Sequence, residues 1–149
     1  MNASRISRVL TLFFALLLVS NVGLAQDECA SATATGEATG IALDTSAATN
    51  DATAPSCGLP APDVWLAYTA SCTGTATIET TSGPGGDTIL EVLDACGGAV
   101  LACDDDGGTS FLSLINLPVT SGTTYFIRAS GWNGGAGAIT LDISCAAAG

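Results

Sequence analysis

The sequence predicts an all-β protein, an antiparallel, jelly-roll-like β-sandwich of about eight strands. Three observations support this fold class. Apolar and β-branched runs recur roughly every ten residues, turn-forming residues separate them, and no amphipathic helical stretch accompanies them. Threonine is also abundant, which suits the solvent-facing positions of strands. Six cysteines add a disulfide framework that would staple the sandwich.

The first 25 residues have the pattern of a secretory signal peptide. An arginine-containing start is followed by an apolar block over residues 9–19 and by small residues at 23–25. The apolar block is short for a membrane span, so an uncleaved anchor is the less favoured alternative. We expect a secreted protein, extracellular or periplasmic, in which residues 26–149 form one domain that does not insert into the membrane.

The predicted mature chain is strongly acidic. Two of the three basic residues, Arg5 and Arg8, lie in the predicted signal peptide, and all fourteen acids follow it, so the formal charge is one minus fourteen, or −13. Such a surface repels phosphate backbones and anionic lipids, which argues against nucleic-acid and membrane partners. The remaining cation, Arg128, is expected to form a structural ion pair on a sheet face.

The strands are assigned in chain order from their apolar patterns. They are predicted at residues 40–44, 64–69, 74–80, 88–93, 99–102, 111–117, 125–130 and 139–144. The first is a weak edge strand in a segment rich in Ala, Thr, Gly and Ser. The second and third are clear runs of β-branched and aromatic residues.

The later strands depend on turn signals. Gly97-Gly98 joins the fourth and fifth strands into a hairpin. The sixth run is short, Pro118 follows it and no helix cap precedes it, so it is predicted as a strand despite an ambiguous periodicity. Turns at Ser121-Gly122 and at residues 132–137 introduce the last two strands.

All six cysteines lie in the predicted mature chain, where fifteen disulfide pairings are possible. Local or end-to-end closures are favoured, namely Cys96 with Cys103, Cys57 with Cys72, and Cys29 with Cys145. A zinc site is disfavoured, because the sequence has no histidine and no Cys-x-x-Cys pair.

Residues 74–144 resemble the bacterial pre-peptidase C-terminal domain family. The resemblance rests on motifs in a fixed order, GTATI at 74–78, DTILEVLD at 87–94, LACDDD at 101–106, GTTYFIRA at 122–129 and ITLDI at 139–143. The upstream PDVWLAY at 62–68 resembles cysteine-bearing variants of the family. The resemblance implies a jelly-roll-like sandwich that serves as a non-catalytic binding or accessory module, and some relatives bind calcium through acidic loops.

Five aspartates at the central hairpin form a candidate calcium site, namely Asp87, Asp94, Asp104, Asp105 and Asp106. Calcium needs six to eight oxygen ligands, and an antiparallel hairpin should bring Asp87 beside the acids that follow Cys103. The spacing is not that of an EF-hand. The alternative is a solvated acidic loop that keeps the protein soluble.

Trp132 and Asn133 form a second candidate site, for a ligand. An indole in a glycine-rich turn can serve as a platform for a sugar or peptide, although it could instead fold over the end of the sandwich. Trp65 and Tyr68 are three positions apart on one predicted strand, so their side chains should point to opposite faces.

Enzymatic activity is not expected. Histidine and lysine are absent and every thiol is predicted to be oxidised, so the usual bases and nucleophiles are missing. The carboxylates of Asp87 and Asp105 would be the pair to test for glycoside hydrolysis. The predicted function is a secreted binding or structural module, stabilised by calcium, with an extracellular protein or glycan as partner. Alternatives are carbohydrate binding through Trp132 and self-association through edge strands.

Overall fold

In the computed structural model, residues 26–149 are described, so the predicted signal peptide lies outside the described residues. Nine strands are present in this part of the chain: β1 Thr33–Thr35, β2 Ala38–Asp44, β3 Asp63–Thr69, β4 Gly74–Ser82, β5 Thr88–Leu93, β6 Val100–Asp104, β7 Leu114–Val119, β8 Thr124–Gly131 and β9 Ala138–Ala147. Short 3-10 turns lie at Cys29–Ser31, Pro84–Gly86 and Trp132–Gly134. Among residues 26–149, no helix has the length and apolar character that a membrane span requires.

The strands form two sheets that pack as a sandwich, as predicted. One sheet has the order β1-β3-β8-β5-β6 and the other the order β2-β9-β4-β7. All pairings are antiparallel except that of β1 with β3. The short strand β1 was not predicted, because three residues are too few to show a strand period, and they form a strand by pairing with the edge of β3.

The core lies between the two sheets and is built from alternate strand positions. It consists of aliphatic side chains of β2 to β9 together with two tyrosines, Tyr68 and Tyr125, whose ring centroids are 6.3 Å apart. Tyr68 lies in this core, and Trp65 points to the opposite side of β3, as the spacing predicted. Trp65 is nevertheless only 4% exposed, so another segment of the chain covers the outer face of the five-stranded sheet at this position.

Residues 45–62, which we call the covering loop, pack against this outer face. Gly58 lies so close to the sheet that a Cβ atom there would be 2.0 Å from Cδ1 of Ile89. Ile89 and Glu91, the outward-facing residues that this loop contacts, are therefore buried, although a strand of a two-layer sandwich normally has one solvated face. The low-complexity segment before Cys57 is therefore part of the ordered fold.

All six cysteines are in disulfides, but none of the three predicted pairings is correct. The bonds are Cys29–Cys96, Cys57–Cys103 and Cys72–Cys145. They join segments 67, 46 and 73 residues apart in sequence, so the expectation of mainly local closures was wrong.

The strand register explains why the predicted partners do not meet. Cys103 pairs across the ladder with Glu91 on the outer face, beneath the covering loop, whereas Cys96 lies in the hairpin turn. Cys57 and Cys72 are separated by the whole of β3, which at roughly 3.3 Å per residue spans over 20 Å. Cys145 lies on β9 of the four-stranded sheet, where the β3–β4 turn brings Cys72 to it.

Candidate functional site

Three aspartates meet at one end of the sandwich. Asp87 immediately precedes β5, and Asp105 and Asp106 immediately follow β6, so the antiparallel pairing of these strands brings them together. Each offers a carboxylate oxygen, and the three oxygens lie within 4.8 Å of one another. We call these residues the acidic triad. The proximity of Asp87 to the acids after Cys103 is as expected from the sequence.

The other two predicted ligands have different positions. Asp94 lies at the opposite end of β5, where its Oδ1 accepts a hydrogen bond from the amide of Ala99 at 2.7 Å. Asp104 is close to the triad in sequence, but its Oδ2 accepts the amides of Gly107 and Leu114, both at 2.8 Å. Asp94 thus stabilises the hairpin turn, and Asp104 the loop that follows β6.

A buried hydroxyl network supports the loop that carries Asp105. The hydroxyls of Thr80 and Thr88 are 2.7 Å apart, and both accept the amide of Ser113, at 2.9 and 3.1 Å. The Ser113 hydroxyl lies 2.7 Å from the Thr88 carbonyl and 3.3 Å from the Asp105 carbonyl. This network anchors the triad to both sheets, and no sequence signal distinguished it from ordinary strand threonines.

The electrostatics of the triad favour a cation. Burial raises the pKa of Asp87, and the charge of Asp106 raises it further. Burial also raises the pKa of Asp105, with contributions from the other nearby aspartates. The Oδ1 atoms of Asp87 and Asp105 are both buried and accept no hydrogen bond from the described residues. Calcium takes oxygen ligands, carboxylates among them, and these oxygens have no donor that competes for them, so the triad is a candidate site for that ion.

Trp132 and Asn133 lie beside the triad. The Trp132 amide donates to the carbonyl of Asp87 at 3.3 Å, and on the other side the Thr88 amide donates to the carbonyl of Phe111 at 3.1 Å. The Trp132 side chain is 37% exposed and that of Phe111 is 60% exposed. Asn133 has a left-handed backbone, with φ of 48°, that turns the chain after the indole. The two sites predicted separately therefore adjoin at Asp87.

A charged cluster that sequence reasoning largely missed lies under the covering loop. Trp65, Arg128 and Glu91 face one another in register across β3, β8 and β5. Arg128 is 3% exposed, and its Nε donates to Oδ2 of Asp63 at 2.9 Å. Its guanidinium carbon lies 5.5 Å from the centroid of the Trp65 ring. The predicted structural ion pair of Arg128 is confirmed, but its burial was not foreseen.

Two further acids surround this arginine. Glu91 Oε2 is 3.7 Å from Nη1 of Arg128, and Asp51 Oδ2 is 3.9 Å from Nη2. Burial raises the pKa of Asp63 to about 6, although the hydrogen bonds and charge of Arg128 oppose the rise. The available signal for a covered outer face was Trp65, a large aromatic residue on the side of the predicted strand opposite to that of Tyr68.

The fold has a clear counterpart among solved structures. The 1.0 Å crystal structure of the pre-peptidase C-terminal domain of collagenase from Bacillus anthracis matches with a TM-score of 0.50 and 11% sequence identity. The match covers 76% of this chain and 94% of that one. The molecule thus has the β-sandwich fold of a pre-peptidase C-terminal domain, as the sequence motifs predicted.

The sequence itself identifies the family. The chain belongs to the T9SS-associated family described as galactose binding domain-like, whose model matches residues 25–143. No curated protein matches the sequence. Fold and family together indicate a binding or structural module. Membership of a T9SS-associated family and three disulfide bonds indicate a location outside the cytoplasm.

Proposed function

We propose that the protein is a secreted, non-catalytic binding module whose end loops are stabilised by calcium at the acidic triad. Asp87, Asp105 and Asp106 would hold the ion. Calcium would neutralise carboxylates that otherwise repel one another, and it would cross-link the start of β5 to the end of β6. The ordered loops would then meet an extracellular partner at a lower entropic cost.

One observation carries this proposal. Asp87 and Asp105 each have a buried Oδ1 atom without a hydrogen-bond donor among the described residues. An unpaired buried carboxylate oxygen costs free energy in a folded protein, and a bound cation removes that cost. A merely solvated acidic loop would leave these oxygens in contact with water.

Calorimetry with calcium and thermal melts with and without chelator test the proposal. At calcium concentrations a hundredfold above Kd, the free energy of unfolding should rise by about 2.7 kcal/mol. Asp105→Asn should remove this gain. Glu79→Gln, the same loss of charge on the outer side of β4, should keep it. The absence of any shift at millimolar calcium would contradict the proposal.

Carbohydrate binding is the second candidate function. It is favoured by the family description as galactose binding domain-like and by the partly exposed indole of Trp132, with the exposed Phe111 nearby. Aromatic rings at such positions can stack against the apolar face of a sugar.

A glycan array probes this second function. Trp132→Ala should abolish binding, because the stacking surface is lost. Leu59→Ala, which removes a 49% exposed apolar side chain from the covering loop, should leave binding intact. Unchanged binding by the Trp132 variant would exclude the indole as the platform.

A further inference from the structure

A cavity of about 520 Å³ opens on the outer face of the five-stranded sheet, away from the acidic triad. The in-register row of Trp65, Arg128 and Glu91 contributes to its lining. Three segments complete it: the N-terminal residues 28–30, the covering loop at residues 51–56, and the tip of the β5–β6 hairpin. A cavity of this size accommodates a small organic molecule.

Two of the three disulfides brace these walls. Cys29–Cys96 joins the N-terminal segment to the hairpin tip, and Cys57–Cys103 joins the covering loop to β6. These covalent bonds hold the walls of the cavity in place. Such preorganisation lowers the entropic cost of binding.

The polar atoms of the cavity are mostly acceptors. Asp51 Oδ2 accepts the indole N–H of Trp65 at 3.1 Å, and Glu91 Oε1 accepts the amide of Ser56 at 2.8 Å. Within residues 26–149, no hydrogen bond reaches the second oxygen of either carboxylate. Arg128 directs its Nε and Nη2 donors to Asp63, and its Nη1 lies 3.7 Å from Oε2 of Glu91, which is an ion-pair distance without a hydrogen bond.

The charges of the lining residues determine whether the cavity favours a cationic or an anionic ligand. Glu28, Asp51 and Glu91 line the cavity, and Arg128 is the one basic residue among the described residues that line it. Its single positive charge is shared among Asp51, Glu91 and the buried Asp63. The lining therefore has an excess of negative charge, which repels anions and attracts cations. Apolar groups, among them the side chain of Leu93, are also part of the lining and can contact an alkyl chain.

We propose that this cavity binds an alkylammonium ion, either a free amine or the side chain of a lysine residue. The ammonium group would donate to Oδ1 of Asp51 and Oε2 of Glu91, which accept no hydrogen bond from the described residues, and its alkyl chain would lie against the apolar part of the wall. This binding is independent of the acidic triad, because it uses another sheet face and other carboxylates.

NMR titration of the full chain in chelator tests the proposal. The indole N–H of Trp65 is hydrogen-bonded in the cavity wall, and the protein has two tryptophans, so its resonance can be assigned with Trp132→Phe. Pentylamine and Nα-acetyl-lysine methylamide should each shift this resonance saturably at neutral pH. Tighter binding of pentylamine would indicate a free amine as the ligand, and tighter binding of the lysine derivative a lysine side chain. Affinity should fall as salt is added.

Two substitutions and two neutral probes make the test decisive. Asp51→Asn should weaken binding about tenfold. Glu28→Gln, which changes an exposed side chain that makes no hydrogen bond to the described residues, should weaken it about threefold. Glu79→Gln should have no effect. If neither amine shifts the Trp65 resonance, or if pentanol or galactose binds as tightly as the amines, the proposal is wrong.

Discussion

Arg128 is paired with acids although it lies inside the protein. It shares the space under the covering loop with Asp51, Asp63 and Glu91, and the four groups together carry a net negative charge. A buried charge is tolerated only where partners replace its hydration. The replacement is incomplete at Asp63, which is fully buried and whose Oδ1 accepts no hydrogen bond from residues 26–149.

At this site, replacing Arg128 with Met should destabilise the fold by about 3–5 kcal/mol, because three acids are left without their cation. The double change with Asp63→Leu should recover part of the loss, since it removes the buried acid as well. Urea unfolding of both variants measures the difference. Equal destabilisation of the single and double variants would show that the arginine acts mainly by packing.

At the level of elements, the β5–β6 hairpin connects the two candidate sites. Its start and end carry the acidic triad, and its turn forms one wall of the cavity. The loop after β6 is held by the hydroxyls of Thr80, Thr88 and Ser113, which lie between strands of both sheets. Fully paired buried networks of this kind give a loop a single conformation.

Ser113→Ala should therefore destabilise the protein by about 1–3 kcal/mol, because its hydroxyl contacts the carbonyls of Thr88 and Asp105. If the triad binds calcium, the same change should weaken that binding. Ser121→Ala removes an exposed turn hydroxyl bonded to Ser71 and is the matched control. Thermal melts with and without calcium measure both effects, and equal stability of the two variants would contradict the role of the network.

For the whole molecule, the carboxylates link stability to pH. Asp63, Asp87 and Asp105 have raised pKa values, so the folded state holds their protons more tightly than the unfolded state does. Their stabilising effect is complete below the unfolded value of 3.8 and is lost as pH rises through the folded pKa, about 6 for Asp63. Glu37 has the opposite effect on stability, because the hydrogen bond from the Ser71 amide lowers its pKa to about 2. The stabilisation by Glu37 is present above pH 4.5 and is lost only as the pH falls below that value.

Calcium-free protein should accordingly become less stable as pH rises from 4.5 to 7. Added calcium should remove the loss of stability that Asp87 and Asp105 cause, since the metal replaces their protons. The loss of stability that Asp63 causes should remain. Urea unfolding at several pH values, in calcium and in chelator, measures both curves. Parallel curves would show that the triad holds no metal in this range.

The alternation of apolar residues and the turn residues between them determined the sandwich, the position of most strands and the meeting of Asp87 with the acids after Cys103. These features are local or depend on one hairpin, so a pattern along the chain is enough to predict them. The six cysteines likewise predicted a disulfide framework, although not its connections.

Tertiary structure alone decided the disulfide pairing, the strand β1, the covering loop and the cavity above Arg128. Each depends on contacts between segments far apart in sequence, such as Cys29 with Cys96 or Gly58 with Ile89. Apolar periodicity states which side of a strand faces inward. It does not predict which segment covers the outward-facing side of the strand, because that depends on the path of the rest of the chain in three dimensions.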